Sequence, residues 1–352
     1  MKEKVELIKE HVFDAIEQKK PLKIVGGNSK AFLGRATKGS LLDVSDYSGI
    51  ISYEPTELFI TARAGTLLSD INNTLFKYGQ MLGFDPPNYN TRTTIGGVVA
   101  TGLSGSRRPY SGSVRDSILG IRCINGLGKD MSFGGQVIKN VAGYDLSRLM
   151  TGAFGTLGII LEVSIKVVPI PEAEMTCSRS MTKGNAIVKM LELSGQAISL
   201  SGSCYYGGVL YVRLSGNENS IMATKKKIGF DTDEQGVNFW DQLRDFKAPI
   251  FNSEKNIWRI SVPITTVPKI GDSQFVLDWG GGLYWLNSDR APKEIFDMAE
   301  EVGGSAMLFR GYDQKQEVFQ PLTNGLLSLH QGLKKAFDPH RILNPGKIYA
   351  SL

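Results

Sequence analysis

Histidine and cysteine are scarce in this chain, three of each in 352 residues. Cys123, Cys177 and Cys204 are far apart, so they build neither a disulfide framework nor a Cys-x-x-Cys metal pair. Such usage suits a reducing, cytosolic compartment. His11, His330 and His340 form no His-x-His or His-Glu-x-x-His pair, which excludes the common zinc signatures, and no metal is expected. No apolar run reaches membrane-spanning length, and the charged start Met1-Lys2-Glu3-Lys4 predicts no secretory leader. Direct membrane insertion is therefore not expected. The net charge is only +5, and the one dense basic run, Lys225-Lys226-Lys227, reads as a solvated helix face. Nucleic acid is not an expected partner. No Gly-x-Gly-x-x-Gly opens a helix, and there is neither a Gly-x-x-x-x-Gly-Lys-Ser/Thr loop nor a Gly-x-Ser-x-Gly elbow. A Rossmann dinucleotide site, a P-loop and a hydrolase elbow are thereby unsupported.

What the chain has is glycine, forty of them. With 41% hydrophobic and 21% charged residues it reads as a globular protein long enough for two domains. The stretch Thr94-Ile95-Gly96-Gly97-Val98-Val99-Ala100-Thr101-Gly102-Leu103-Ser104-Gly105 places four glycines among small and β-branched residues. Glycines so dense beside apolar residues predict a backbone that something else approaches closely, one wall of a cofactor site. Earlier, the strand-like Leu22-Lys23-Ile24-Val25 runs into Gly26-Gly27-Asn28-Ser29. Successive free N–H groups there would form an anion nest, although an ordinary glycine turn accounts equally well for the tetrapeptide alone. Later, Gly155-Thr156-Leu157-Gly158-Ile159-Ile160 turns into a strand. The three together suggest an elongated ligand with a phosphate group, held mainly by main-chain donors.

Periodicity orders the rest. Val5, Ile8, Val12 and Ile16 predict a first amphipathic helix, and Ile71, Leu75 and Tyr78 a second over 69–78. Strands are expected over 41–44, 58–64, 118–124 and 161–167, with Asn125-Gly126 as a hairpin signal and a short helix over 145–150. Pro169-Ile170-Pro171 closes this first unit. Beyond it, helices over 186–193, 218–227, 239–246 and 291–301 mix with strands over 208–214 and 258–262, a compact α+β domain. Within it, Asp278-Trp279-Gly280-Gly281-Gly282-Leu283-Tyr284-Trp285 reads as a glycine-bent strand with core aromatics, or as the floor of a pocket. A helix over 325–337 precedes a tail whose Pro339, Pro345 and Gly346 predict a docked end.

Taken in order, Val25-Gly26-Gly27-Asn28-Ser29, Thr94-Ile95-Gly96-Gly97 with Ala100-Thr101, and Gly155-Thr156-Leu157-Gly158-Ile159-Ile160 resemble the FAD-binding domain of the vanillyl-alcohol oxidase/p-cresol methylhydroxylase superfamily. The longer runs Asn28–Arg35, Arg107–Asp116 and Lys139–Met150 are similar to those of FAD-binding E subunits of bacterial glycolate oxidases, as are Asp278-Trp279-Gly280-Gly281 and Asn344-Pro345-Gly346-Lys347. The resemblance implies an α+β fold: a two-subdomain FAD-binding domain over 1–171, a smaller α+β cap over 172–325, and a C-terminal segment, 326–352, docking on the FAD domain.

It further implies that Gly26, Gly27, Asn28 and Ser29 cradle the FAD pyrophosphate, with Val25 beside them. Thr94, Ile95, Gly96, Gly97, Ala100 and Thr101 would line the cofactor, Gly158, Ile159 and Ile160 would meet it through backbone, and Asn344 would lie near the flavin ring. Pro86, Gly105, Gly112 and Ser113 complete the expected set. The first nest and the segment 96–112 hold no His or Cys, so FAD is expected to be non-covalent. Hydroxy-acid oxidation needs a base and a cation for the carboxylate. Arg107, Arg108 and Arg115 are available cations, Arg108 and Tyr144 are the catalytic candidates, and no residue is identified as the base. The implied function is the FAD-binding subunit of a complex oxidising glycolate and D-lactate, small 2-hydroxy acids, alongside a catalytic D-type flavoprotein subunit and an iron–sulfur F-type subunit that passes electrons to a quinone-type acceptor. Such a chain would be cytoplasmic, reaching the inner face of the cell membrane only through partners. Two alternatives stand beside it: a flavin-free assembly subunit, and a self-sufficient FAD-dependent oxidase.

Overall fold

A computed structural model of the chain describes residues 1–135, 146–271, 273–311 and 317–352. The chain divides into two compact units, Met1–Leu103 with Ser113–Pro169 and Pro321–Leu352, and Ser104–Gly112 with Ile170–Gln320. Residues 104–112 fall in the second unit.

In the first unit, helix α1 (Lys2–Glu17) buries Val5, Ile8, Val12 and Ala15, the three- and four-residue steps that define one helix face. Strand β1 (Leu22–Val25) pairs in parallel with β2 (Ser40–Asp43). The α1 stripe packs with Leu22, Leu42, Val44, Ile159 and Leu161 in one core cluster. A second, antiparallel sheet is built from β3 (Ile50–Glu54), β4 (Phe59–Arg63), β5 (Ile118–Ile124), β6 (Asp130–Gly134) and β7 (Ile159–Lys166), in the spatial order β3-β4-β7-β5-β6. Its central strand β7 is buried at all but two positions, although Glu162, Ser164 and Lys166 alternate with its apolar residues. Helices α2 (Leu68–Phe76) and α3 (Ile95–Thr101) share the core cluster of this sheet through Leu68, Ile71, Leu75, Ile95, Val98 and Val99. The Asn125-Gly126 signal does mark the β5–β6 connection, but as a five-residue loop instead of a two-residue turn. The Asn125 side chain is the reason: its Oδ1 accepts from the N–H groups of both Leu127 and Lys129, at 3.0 Å each.

The second unit is one antiparallel sheet of eight strands: β8 (Ala173–Ser180), β9 (Leu200–Tyr206), β10 (Val209–Gly216), β11 (Asp231–Thr232), β12 (Ile257–Ser261), β13 (Phe275–Asp278), β14 (Leu283–Asn287) and β15 (Ser305–Arg310). Their order is β11-β8-β10-β9-β13-β14-β12-β15. One face, carrying Leu210, Val212, Trp258, Ile260, Tyr284 and Leu286, is covered by helices Lys183–Ser194, Glu218–Ile228 and Pro292–Glu301. The alternate residues Arg213, Arg259 and Trp285 point to the opposite face, as the pleat requires. There Phe246, Phe251, Trp285 and Phe309 pack edge-to-face or tilted, with ring centroids 4.6 to 6.2 Å apart.

Candidate cofactor site

Val44 N–H donates to the Val25 carbonyl at 2.9 Å, the last main-chain bond of the β1–β2 pair. Beyond it the backbone turns, and the N–H groups of Gly26, Gly27, Asn28, Ser29 and Lys30 donate to no protein acceptor among the described residues. Unspent donors in succession are what an anion nest requires. Both glycines are needed for space: a Cβ on Gly27 would sit 1.4 Å from the Arg92 carbonyl oxygen, and one on Gly26 would sit 2.8 Å from Thr94 Oγ1. Asn28 takes φ +54°, a left-handed conformation that asparagine tolerates better than most residues.

The glycine-rich stretch folds as α3, with Thr94 as its N-cap: Oγ1 accepts from Gly97 N–H at 3.3 Å. Ile95 N–H donates to Thr66 O and Gly96 N–H to Ala64 O, at 2.9 and 2.8 Å. The donors expected of this stretch are therefore spent within the protein, and it offers a small-residue surface instead. Gly96 is required by the protein's own packing, since a Cβ there would lie 2.6 Å from that of Ala64.

The third wall comes from residues 154–160 and the tail. Phe154 and Gly155 have φ +52° and +69°. Asn344 fastens this turn to β1: its Oδ1 accepts from Ile24 N–H at 2.9 Å, and its Nδ2 donates to Phe154 O at 2.8 Å. Lys334, 2% exposed, donates to Thr156 O, Leu343 O and Asp338 Oδ2 at 2.8, 2.9 and 2.7 Å. The Asp338 carboxylate also accepts from the N–H groups of Ile342 and Leu343.

These walls bound a cleft open to solvent. Val25, Gly26, Gly27, Asn28 and Ser29 line it, as do Thr94, Gly96, Gly97, Ala100 and Thr101, and Gly158, Ile160 and Asn344. Other expected residues do not. Ile95 and Ile159, one position out of phase, are wholly buried in the core. Pro86 is buried away from the cleft lining. Ser113 spends its N–H and hydroxyl on Asp116, while Gly105 and Gly112 belong to the second unit. Sequence pattern did not mark Lys23, Ile24, Lys30, Ala31, Thr37, Val44, Ala64, Phe154, Gly155 and Lys347, which also line the cleft. Lys30, Gly155 and Lys347 stand inside motifs already noted, and that adjacency was the available signal.

No aspartate or glutamate lines the cleft, whereas Lys23, Lys30 and Lys347 do. Burial pulls the Lys30 ammonium down to about 8. Burial, and then the neighbouring Lys23 charge, does the same to Lys347. A nest of free N–H groups, cationic walls and no carboxylate fit a diphosphate. No histidine or cysteine lines the cleft, and among the described residues no cluster of His, Cys, Asp and Glu could hold a metal.

The three candidate arginines separate. Arg107 is ion-paired with Glu174 and hydrogen-bonded to Ser215 in the second unit. Arg108, exposed in that unit, lays its guanidinium 4.2 Å from the centre of the Trp279 ring, with Arg259 4.9 Å from the same ring. The Trp279 indole N–H donates to Gly105 O at 3.0 Å. Arg115 lines a different depression of the first unit, with Arg148 and His330. Tyr144, with the run 136–145, lies outside the described residues.

Comparison with known proteins agrees with this geometry. Residues 3–134 match the FAD binding domain family, and residues 290–348 match the C-terminal domain of FAD linked oxidases. The chain belongs to the FAD-linked oxidase family, and its cofactor is FAD. Within that family it is similar to the glycolate oxidase subunit GlcE of Escherichia coli (strain K12), 45% identical over 97% of each chain. The glycolate oxidase subunit GlcD of Bacillus subtilis (strain 168) is 25% identical over 89% of this chain and 80% of that one. Among solved structures, an alkyldihydroxyacetonephosphate synthase superposes with a TM-score of 0.68 at 15% identity, covering 97% of this chain and 74% of the other, a likeness of fold. No described helix is long and apolar enough to cross a membrane.

Proposed function

We propose that this chain is the FAD-holding subunit of a glycolate oxidase complex that oxidises a small 2-hydroxy acid. The observation that carries this reading is the 45% identity to GlcE along 97% of both chains. The cleft supports it, because the 26–30 nest offers free N–H groups, α3 a small-residue surface, and no carboxylate lines it. When bound, FAD supplies a hydride acceptor for the substrate α-carbon. The chain's own contribution is to bind and orient: the 26–30 nest takes the diphosphate, the α3 face and residues 158–160 flank the remainder, and Asn344 holds the turn that shapes the third wall. Arg108, on the second unit, is the proposed cation for a substrate carboxylate. A D-type flavoprotein subunit is the proposed site of oxidation, with an F-type iron–sulfur subunit and a quinone-type acceptor beyond it. The test is anaerobic addition of glycolate or D-lactate to the isolated, flavin-loaded chain. Its flavin absorbance is expected to hold steady alone and to bleach once the partners are supplied. Rapid bleaching without partners would replace this reading with a self-sufficient oxidase, and a purified chain with no flavin spectrum would favour an assembly subunit.

A further inference from the structure

We propose that Lys30 and Lys347 are paired cationic clamps for the diphosphate of the cofactor, so that this site, unlike a nest of backbone donors alone, binds through charge. The inference rests on the FAD reading above and extends it to residues that no motif assigns. Lys30 is 8% exposed, and its Nζ has one long contact, 3.4 Å to the Ser29 hydroxyl. Neither lysine forms an ion pair among the described residues, yet both line the cleft, one beside the nest and one on the returning tail. An ammonium kept out of water without a counter-ion is costly. Lys334, in the same unit, shows the ordinary remedy, a carboxylate at 2.7 Å. The cleft supplies none, so the missing counter-charge is that of the ligand.

The tail is held for this purpose. Arg35 N–H donates to Lys347 O at 2.9 Å, and Lys347 N–H donates to Asn344 O at 3.2 Å, which fixes the residue against the loop that carries Lys30. Gly34 allows that approach, since a Cβ there would meet Lys347 O at 2.8 Å. The other charged groups nearby are Lys23 on β1 and, lining the adjoining depression beyond the nest, Arg92, Asp43 and Asp70. Burial leaves both ammonium groups titrating near 8 in the free protein. A bound diphosphate raises those values, so affinity is full below about pH 8 and falls above it, by about tenfold per pH unit for each proton taken up.

The test titrates flavin-free, full-length protein with FAD, ADP and riboflavin by calorimetry at about pH 7 and about pH 9.5. In the wild type, FAD and ADP binding weaken at the higher pH while riboflavin binding does not. Lys30→Met and Lys347→Met each weaken FAD and ADP by about tenfold or more at neutral pH, and riboflavin by less than about twofold. Lys30→Arg, always charged, removes the Lys30 share of the loss at the higher pH and retains that of Lys347. Should a methionine variant fail to fold, the wild-type pH profile and the arginine variant still decide. FAD affinity unmoved by both methionine substitutions, or flat with pH, overturns the clamp and leaves the FAD reading standing. A wild-type protein that binds neither FAD nor ADP at any pH overturns both.

Discussion

At position 27 a methyl group has no room, because its carbon would fall 1.4 Å from the Arg92 carbonyl. Gly27→Ala must displace one of two backbones, and about 1–3 kcal/mol of stability should go with it. Urea unfolding of the flavin-free variant measures that loss, and its purified flavin content should drop as well. Stability within about 0.5 kcal/mol of wild type and full flavin content would contradict the close approach. The same logic shows why single glycines mislead when read from sequence. Gly27 and Gly96 look alike in the chain, yet one frees donors for a ligand while the other lets a helix meet Ala64. Which task a glycine performs depends on the atom facing it, and in both cases that atom belongs to a distant part of the chain, Arg92 for Gly27 and Ala64 for Gly96.

At the level of elements, the helices were the most legible. Their stripes of Val, Ile and Leu carry the 3.6-residue period, and the helices Glu218–Ile228, Pro292–Glu301 and Asn324–Phe337 fall within a residue or so of their expected bounds. Strands β8, β9 and β15 were not anticipated. Ala173–Ser180 and Leu200–Tyr206 are rich in serine and other small polar residues, and what qualifies them as strands is pairing with β10, not pattern. The C-terminal helix and tail were expected to dock; the means was hidden. Lys334 and Asp338 are buried as a pair four residues apart, tying the helix to Thr156 and Leu343. Lys334→Met leaves the Asp338 carboxylate buried without its cation and should cost about 3–5 kcal/mol by denaturant unfolding. Adding Asp338→Asn should return part of that loss, because the amide needs no counter-charge. A single variant as stable as wild type would show that the clamp is idle.

For the whole molecule, the cofactor linkage can be checked directly. No histidine or cysteine lines the cleft, so acid precipitation of the flavin-loaded protein should release all of its flavin to the supernatant. Flavin carried down with the protein would mean a covalent tether. The order of the glycine motifs along the chain determined the family, the cofactor and most of the cleft lining, because backbone-built sites write their steric demands locally as glycine and small residues. Tertiary structure decided the rest. It divided the lining residues from their buried neighbours Ile95 and Ile159, consumed the α3 donors internally, and drew Lys30 and Lys347 from opposite ends of the chain into one carboxylate-free cleft. The physical reason is range: the permission for close approach is written at the glycine itself, whereas what approaches it, and the charge of the site, depend on every segment that reaches it.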